Sequence, residues 1–408
     1  MKKYLLCLVI MTMACSPAFG DELSDLKEMM RQMQVQMSEM AGRIEQLERD
    51  RESQSARDEH EIRRLEQRVT ELQDRPAGQS ANVLSTLNPE VSIIGDMVYA
   101  TDENDGEGDN DFNLREVELA FGASVDTYAR GDIIVAIENE DGETEVVVEE
   151  GYLTLLQTPV PDLQGRFGKF RPYFGKANRM HLHQLPWVDY PLVVQNFLGE
   201  EGFSEAGVSI NYLLPFTGDV YSEATFEIFN NNDAVVLGAG EEGDAVYLGH
   251  WKNFLDITDT TSVELGGSYM TSDNGAGGGS DTNVSGIDLT LNTQIINGRR
   301  TTSHTEALFS KAEQPGSNDI DAWGMFTSLE QQLTDRWWIF GRYDFSEAPD
   351  DSSVETNAYS AGITYAQSEY VFWRAMFTHT DNEDADDDNT LWLQMDFSIG
   401  PHKPHAYR

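Results

Sequence analysis

The sequence predicts an all-β transmembrane barrel of about 16 antiparallel strands, preceded by an α-helical coiled coil. Three observations carry that prediction. Apolar residues between Leu23 and Leu72 recur at alternating steps of three and four, the period of a coiled-coil seam. From Pro89 onward the period changes to two, the period of a strand with unlike faces. The links between these period-two runs alternate between long, acidic or glycine-rich segments and short turns, as they do when long loops lie outside and short turns in the periplasm.

The chain opens with Lys2 and Lys3, an apolar run from Tyr4 to Ala14, and the small-x-small site Ala18-Phe19-Gly20. Residues 1–20 therefore read as a secretory signal peptide, too short and wrongly flanked for a membrane span. A lipidated Cys15 is the rival reading, but Thr12-Met13-Ala14 suits a lipoprotein site poorly. Both cysteines, Cys7 and Cys15, lie in this segment, so residues 21–408 carry no disulfide, thiol nucleophile or thiolate metal site. The formal charge of −43, more negative still without Lys2 and Lys3, argues against nucleic acid as a partner. No later stretch is apolar enough for a transmembrane helix, which leaves a barrel open because only alternate residues of its strands face lipid.

Residues 21–75 read as a periplasmic coiled coil. Leu23, Leu26, Met30, Met33, Met37, Met40, Ile44 and Leu47 form one a/d block, and Ile62, Leu65, Val69 and Leu72 resume it in register after an eleven-residue stutter. A solvated single helix would leave that seam exposed, so a parallel coiled coil is favoured. Pro76-Ala77-Gly78 ends it, and residues 76–84 read as a polar linker.

Residues 85–408 read as the outer-membrane β-barrel. Val117, Leu119, Phe121, Ala123 and Val125 alternate with Glu116, Glu118, Ala120, Gly122 and Ser124. Ile287, Leu289 and Leu291 alternate with Asp288, Thr290 and Asn292, and Leu391, Leu393, Met395, Phe397 and Ile399 with Trp392, Gln394, Asp396 and Ser398. The long links fall at 101–111, 139–144, 230–244, 272–282, 313–319, 347–355 and 381–389, and the short ones at 126–131, 159–165, 215–219, 256–260, 297–300, 334–336 and 366–368. With the coiled coil in the periplasm, every long link lands outside. Trp251, Trp337, Trp338, Tyr370, Phe372 and Trp373 suit interfacial girdles, though core packing would also explain them.

The third long link, about residues 171–204, stands apart. It contains "KANRMHLHQLPWVDYPL" (176–192), which is basic and histidine-bearing in an acidic chain, and it is rich in Leu, Val, Trp, Tyr and Phe. Such apolar content predicts a loop folded into the lumen. The same fold would bring Lys169, Arg171, Lys176 and Arg179 to a constriction, facing lumen carboxylates such as Glu116, Glu118, Glu223, Glu227 and Glu264. The plainer alternative is that these cations only neutralise wall carboxylates. His181 and His183 offer imidazoles for a metal, but no Cys and no evident third ligand accompanies them. The acidic run Asp381–Asp388 lacks calcium-loop spacing, and "GAGGGS" (275–280) follows no βα unit. Neither G-x-S-x-G nor H-E-x-x-H occurs, so no enzyme and no cofactor is expected.

The runs "NPEVSIIGDMVYA", "FNLREVELAFGASVDTYARGDI", "GRFGKFRPYFGKANRMHLHQLPWVDYPL" and "FLGEEGFSEAGVSINYLLP" resemble the phosphate-selective porins, through a poorly characterised branch of that superfamily. The resemblance covers about residues 85–408 and implies sixteen strands and a homotrimer. "GKFRPYFGK" (168–176) is similar to the segment entering the third loop there, which implies Lys169, Arg171 and Lys176 as constriction residues. The acidic lumen positions argue against phosphate itself as the solute. The expected protein is a porin-like channel in outer-membrane lipid that passes small hydrophilic solutes or ions, with a coiled coil reaching toward the cell wall. The alternatives are a structural anchor plugged by its third loop and a zinc-uptake protein using His181 and His183.

Overall fold

Strand pairing in this chain runs in a full circle. The computed structural model describes residues 89–400, apart from 102–111, 141–142, 216–217, 232–234, 239–243 and 384–385. The expected signal peptide, coiled coil and linker lie outside the described residues. The first eight strands are β1 (Glu90–Thr101), β2 (Phe112–Ser124), β3 (Ala129–Glu140), β4 (Glu143–Leu155), β5 (Leu163–Phe170), β6 (Glu205–Leu213), β7 (Tyr221–Asn230) and β8 (Ala245–Thr258). The remaining eight are β9 (Thr261–Asp273), β10 (Asp281–Gln294), β11 (Arg300–Ala312), β12 (Ile320–Gln332), β13 (Trp337–Ala348), β14 (Asp351–Ala366), β15 (Val371–Asn382) and β16 (Asp388–Ile399). Each strand pairs antiparallel with its sequence neighbours, and β1 closes on β16 with Ile93 opposite Ile399 and Thr101 opposite Leu391. Closure leaves no unpaired edge.

The period-two pattern maps onto the two faces inside out relative to a water-soluble protein. Ile287 is 57% exposed on the outer face, and the next residue, Asp288, is 3% exposed on the inner face. Phe226, Ile228, Leu391 and Leu393 are likewise exposed outward, whereas Ser209, Thr290, Gln394 and Asp396 are buried inward. A band of exposed apolar side chains is what lipid contact requires. Of the expected girdle residues, Trp251, Trp337, Tyr370 and Trp373 are exposed. Phe372 is not: strict alternation next to Trp373 turns it inward, where it is fully buried.

Two of the long links prove to be short. Only residues 141–142 separate β3 from β4, and only 349–350 separate β13 from β14. The acidic flanks continue the ladder instead of forming loops, with Glu347 opposite Glu355 and Glu138 opposite Glu145.

Two bulges alter the inner face. Opposite Asp96 and Met97, β2 presents Glu116 and Leu114, so Arg115 is an extra residue. Opposite Ile134 and Val135, β4 presents Glu150 and Val148, so Glu149 is extra. A bulge breaks the alternation once. Arg115 and Glu116 therefore both point inward, as do Glu149 and Glu150.

The inner wall is not polar throughout. Val246, Leu248, Met270, Val284, Leu308, Ala322, Phe326, Phe340 and Met376 turn inward and are buried. They meet the connection between β5 and β6, which contributes Phe174, Leu185, Trp187, Val188, Tyr190, Val193, Val194 and Phe197 to the same cluster. This third loop contains two 3-10 turns, Ala177–Arg179 and Leu182–Gln184, and the helix α1, Leu192–Leu198. Gly199 stops α1 with φ +115°, a conformation other residues rarely adopt. Gly324 on β12 lets α1 approach, since a Cβ there would stand 2.6 Å from Val193 Cγ2.

With no cysteine in residues 21–408, the assignment of faces can be tested by single-cysteine labelling. A fluorophore on Ile287→Cys is expected to be strongly quenched by brominated lipid in reconstituted protein, and one on Asn292→Cys is not. Equal quenching at both would contradict the faces described.

Candidate functional site

The third loop carries main-chain groups into the lumen, and each buried one requires a partner. Three consecutive carbonyls find theirs in arginines from three strands. Arg374 of β15 donates to Trp187 O at 2.6 Å and Leu185 O at 2.9 Å. Arg115 of β2 donates to Val188 O at 2.9 Å while its Nε holds Asp96 at 2.9 Å. Arg342 of β13 donates to Asp189 O at 3.1 Å, pairs with the Asp189 carboxylate at 2.9 Å and with Asp344 at 2.7 Å. Its guanidinium also stands 5.1 Å from the Trp187 ring.

Wall carboxylates perform the converse task. Glu306 Oε1 accepts from the main-chain N–H of Lys176 at 2.9 Å and of Ala177 at 2.7 Å. Glu227 accepts from Tyr173 N at 2.8 Å, and Ser268 Oγ from Gly175 N at 3.1 Å. Gly175 has φ +66°, and a Cβ there would collide with the Glu306 carboxylate. Wall side chains thus bind both donors and acceptors of the loop, and the loop backbone touches the inner face at β2, β4, β7, β9, β11, β13 and β15.

The residues expected at a constriction take different places. Lys169 does not enter the lumen. On β5, Phe170 is buried inward and Phe167 exposed outward, so alternation puts Lys169 on the outer face with Phe167. Arg166, on the inner face of the same strand, lies over the Tyr152 ring at 4.6 Å. Arg171 is buried, bound to Glu149 at 3.1 Å and to the carbonyl of Glu201 at 2.5 Å. Lys176 reaches Glu264 at 3.1 Å and Thr290 at 3.2 Å, and Lys252 holds the other oxygen of Glu264 at 3.0 Å. Arg179 stacks on Tyr173 at 3.6 Å. Glu116 and Glu118 do not face open water: they are 6% and 1% exposed, covered by the loop.

His181 and His183 converge on those carboxylates. His181 Nε2 lies 2.7 Å from Glu150 Oε1, while its Nδ1 faces Glu149 Oε1 at 3.3 Å and Glu118 Oε2 at 3.4 Å. His183 Nδ1 is 3.4 Å from the same Glu118 oxygen, and the two imidazoles stack at 5.7 Å. Burial opposes charging His181, but the adjacent Glu149 and Glu150 outweigh it and raise its pKa to about 10. The alternating pattern offered Glu118 in sequence. Glu149 and Glu150 were missed because a bulge was needed to turn both inward, and the consecutive pair was the available signal.

On the side of the short connections, a cavity of about 460 Å³ opens beside the loop. Its lining includes Arg130, Arg166, Arg171 and Arg179 together with Glu90, Asp132 and Glu150.

No family model matches the chain. An uncharacterized protein of Aquifex aeolicus (strain VF5) is 42% identical over 105 residues, a match spanning 26% of this chain and 21% of that protein. Among solved structures, OprB of Pseudomonas putida superposes with a TM-score of 0.56 at 10% identity, covering 79% of this chain and 96% of that one. The anion-selective porin from Comamonas acidovorans gives 0.53 at 12%, covering 76% and 100%. The outer-membrane channel DcaP of Acinetobacter baumannii gives 0.53 at 12%, covering 76% and 96%. What these likenesses share with this chain is the fold, a closed antiparallel barrel of sixteen strands.

Arg374 tests how firmly the loop is held. Arg374→Met leaves two buried carbonyls without donors, a cost of about 2–4 kcal/mol. Trypsin cleavage at Lys176 and Arg179 in the folded barrel is expected to accelerate at least about tenfold. Unchanged protection would contradict the role assigned to this arginine.

Proposed function

We propose that this protein is a porin-like channel of the outer membrane that lets small hydrophilic solutes or ions diffuse passively, with the third loop as its constriction. One observation carries the reading: the loop crosses the lumen and is bound to the wall by side chains from many strands, so any permeating species passes beside it. The likeness to porin folds supports the outer-membrane location. The exposed apolar face supports it independently. Arg166 and Arg179 line the water-accessible cavity, and fixed charges at a narrow point bias which ions pass. The heptad of residues 21–75 supports a homotrimer held by a periplasmic coiled coil.

A second reading has its own support. The apolar cluster between loop and wall is extensive, which favours a barrel sealed by its third loop that serves to anchor the coiled coil.

Planar-bilayer recording of the purified full chain separates the two. The channel reading expects discrete conductance steps, and in a salt gradient Arg179→Glu is expected to move the permeability ratio severalfold toward cations. Silent protein that is demonstrably folded and inserted would favour the sealed anchor. Conductance whose selectivity ignores Arg179→Glu would remove this arginine from the constriction.

A further inference from the structure

We propose that Glu118, Glu149, His181 and His183 form a divalent transition-metal site, of the zinc class, that pins the third loop to β2 and β4. The inference stands whether or not the lumen conducts.

Spacing is the first argument. In a tetrahedral site with bonds of about 2.0–2.1 Å, neighbouring ligand atoms stand about 3.3–3.4 Å apart. Glu118 Oε2 and Glu149 Oε1 lie 3.4 and 3.3 Å from His181 Nδ1, and His183 Nδ1 lies 3.4 Å from Glu118 Oε2. These gaps are long for hydrogen bonds between a ring N–H and a carboxylate but match the edges of a coordination polyhedron. One ligand atom from each of Glu118, Glu149 and His181 falls within 4.8 Å of the others, and all three residues are buried. His183 lies outside that group of three, meets it through Glu118, and would complete the tetrahedron by a shift toward the other ligands.

The second argument is unsatisfied polarity. Both oxygens of Glu118 are buried and accept no hydrogen bond, and Nδ1 of His181 makes none either. Orphaned carboxylate oxygens at 1% exposure are costly unless a cation or proton meets them. Four buried carboxylates, Glu116, Glu118, Glu149 and Glu150, gather here. Arg171 is the guanidinium bound to them, through Glu149. A divalent cation would supply the missing positive charge.

The third argument is the outer partner of the histidine. A metal at His181 Nδ1 would displace the proton there, while Nε2, 2.7 Å from Glu150 Oε1, keeps the other, so the Nδ1 lone pair would be aimed at Glu118 and Glu149. A carboxylate behind a ligating imidazole fixes its tautomer and strengthens it as a donor. Two imidazoles among the donors favour a first-row transition ion over calcium or magnesium, which take oxygen ligands.

The test uses full-length protein purified without a polyhistidine tag, titrated with zinc by calorimetry and with cobalt(II) by visible absorption. We expect one zinc per chain and an intense tetrahedral cobalt spectrum. Glu150→Gln, which keeps all four ligands, should weaken zinc about 10–100-fold. His181→Ala and Glu118→Gln should lose the spectrum, and His379→Ala, remote from the cluster, should keep it. A wild-type cobalt spectrum no different from the hydrated ion would overturn the proposal, even if the ligand variants fail to fold. So would zinc affinity left intact by both Glu150→Gln and His181→Ala.

Discussion

Arginines on the barrel wall hold the third loop by its main chain, and the rest of the interior depends on that contact. Arg374, Arg115 and Arg342 take the carbonyls of Trp187, Val188 and Asp189 in turn. A carbonyl inside a barrel has either water or a wall donor for a partner, and a guanidinium offers several donors in a fixed fork. Once these three carbonyls are held, Trp187 is committed to the apolar wall around Phe326, with ring centroids 5.4 Å apart. The neighbouring turn then delivers His181 and His183 to the carboxylates of β2 and β4. Charge and packing act together: the acidic wall binds N–H groups of the loop, and the few wall cations bind its carbonyls.

This arrangement explains why a chain of formal charge −43 carries a basic segment where it does. Lys176 sits between Glu264 and Thr290, and Arg171 between Glu149 and the carbonyl of Glu201. Both meet wall or loop acceptors at hydrogen-bond distance. Arg179 and Arg166 differ, since their guanidiniums approach the Tyr173 ring and line the cavity.

Much of the architecture was legible because strand alternation is local. A period of two assigns Val117 and Glu118 to opposite faces with no knowledge of the partner strand. The apolar length of residues 171–204 likewise announced a loop that water would not tolerate. Three kinds of feature escaped. Bulges at Arg115 and Glu149 are defined only against β1 and β3, so period counting cannot place them. The contact of Arg374 with Leu185 joins residues 189 apart in sequence, and no local pattern encodes it. The close spacing of β3 and β4, and of β13 and β14, is hidden in the sequence because acidic residues look solvated whether or not the ladder continues. Lys169 differs in kind: charges that are neighbours in sequence need not be neighbours in space, and alternation with the buried Phe170 turns Lys169 outward.

The central claim is that the third loop is fastened across the lumen, and its most direct test is a covalent cross-link between loop and wall. Lys176 Nζ lies 3.1 Å from Glu264 Oε1, with Lys252 on the other oxygen. In Lys252→Met protein, folded and membrane-inserted, zero-length carbodiimide coupling is predicted to join Lys176 to Glu264, read as a cross-linked peptide pair by mass spectrometry. A correctly folded barrel in which Lys176 and Glu264 stay uncoupled would contradict the account.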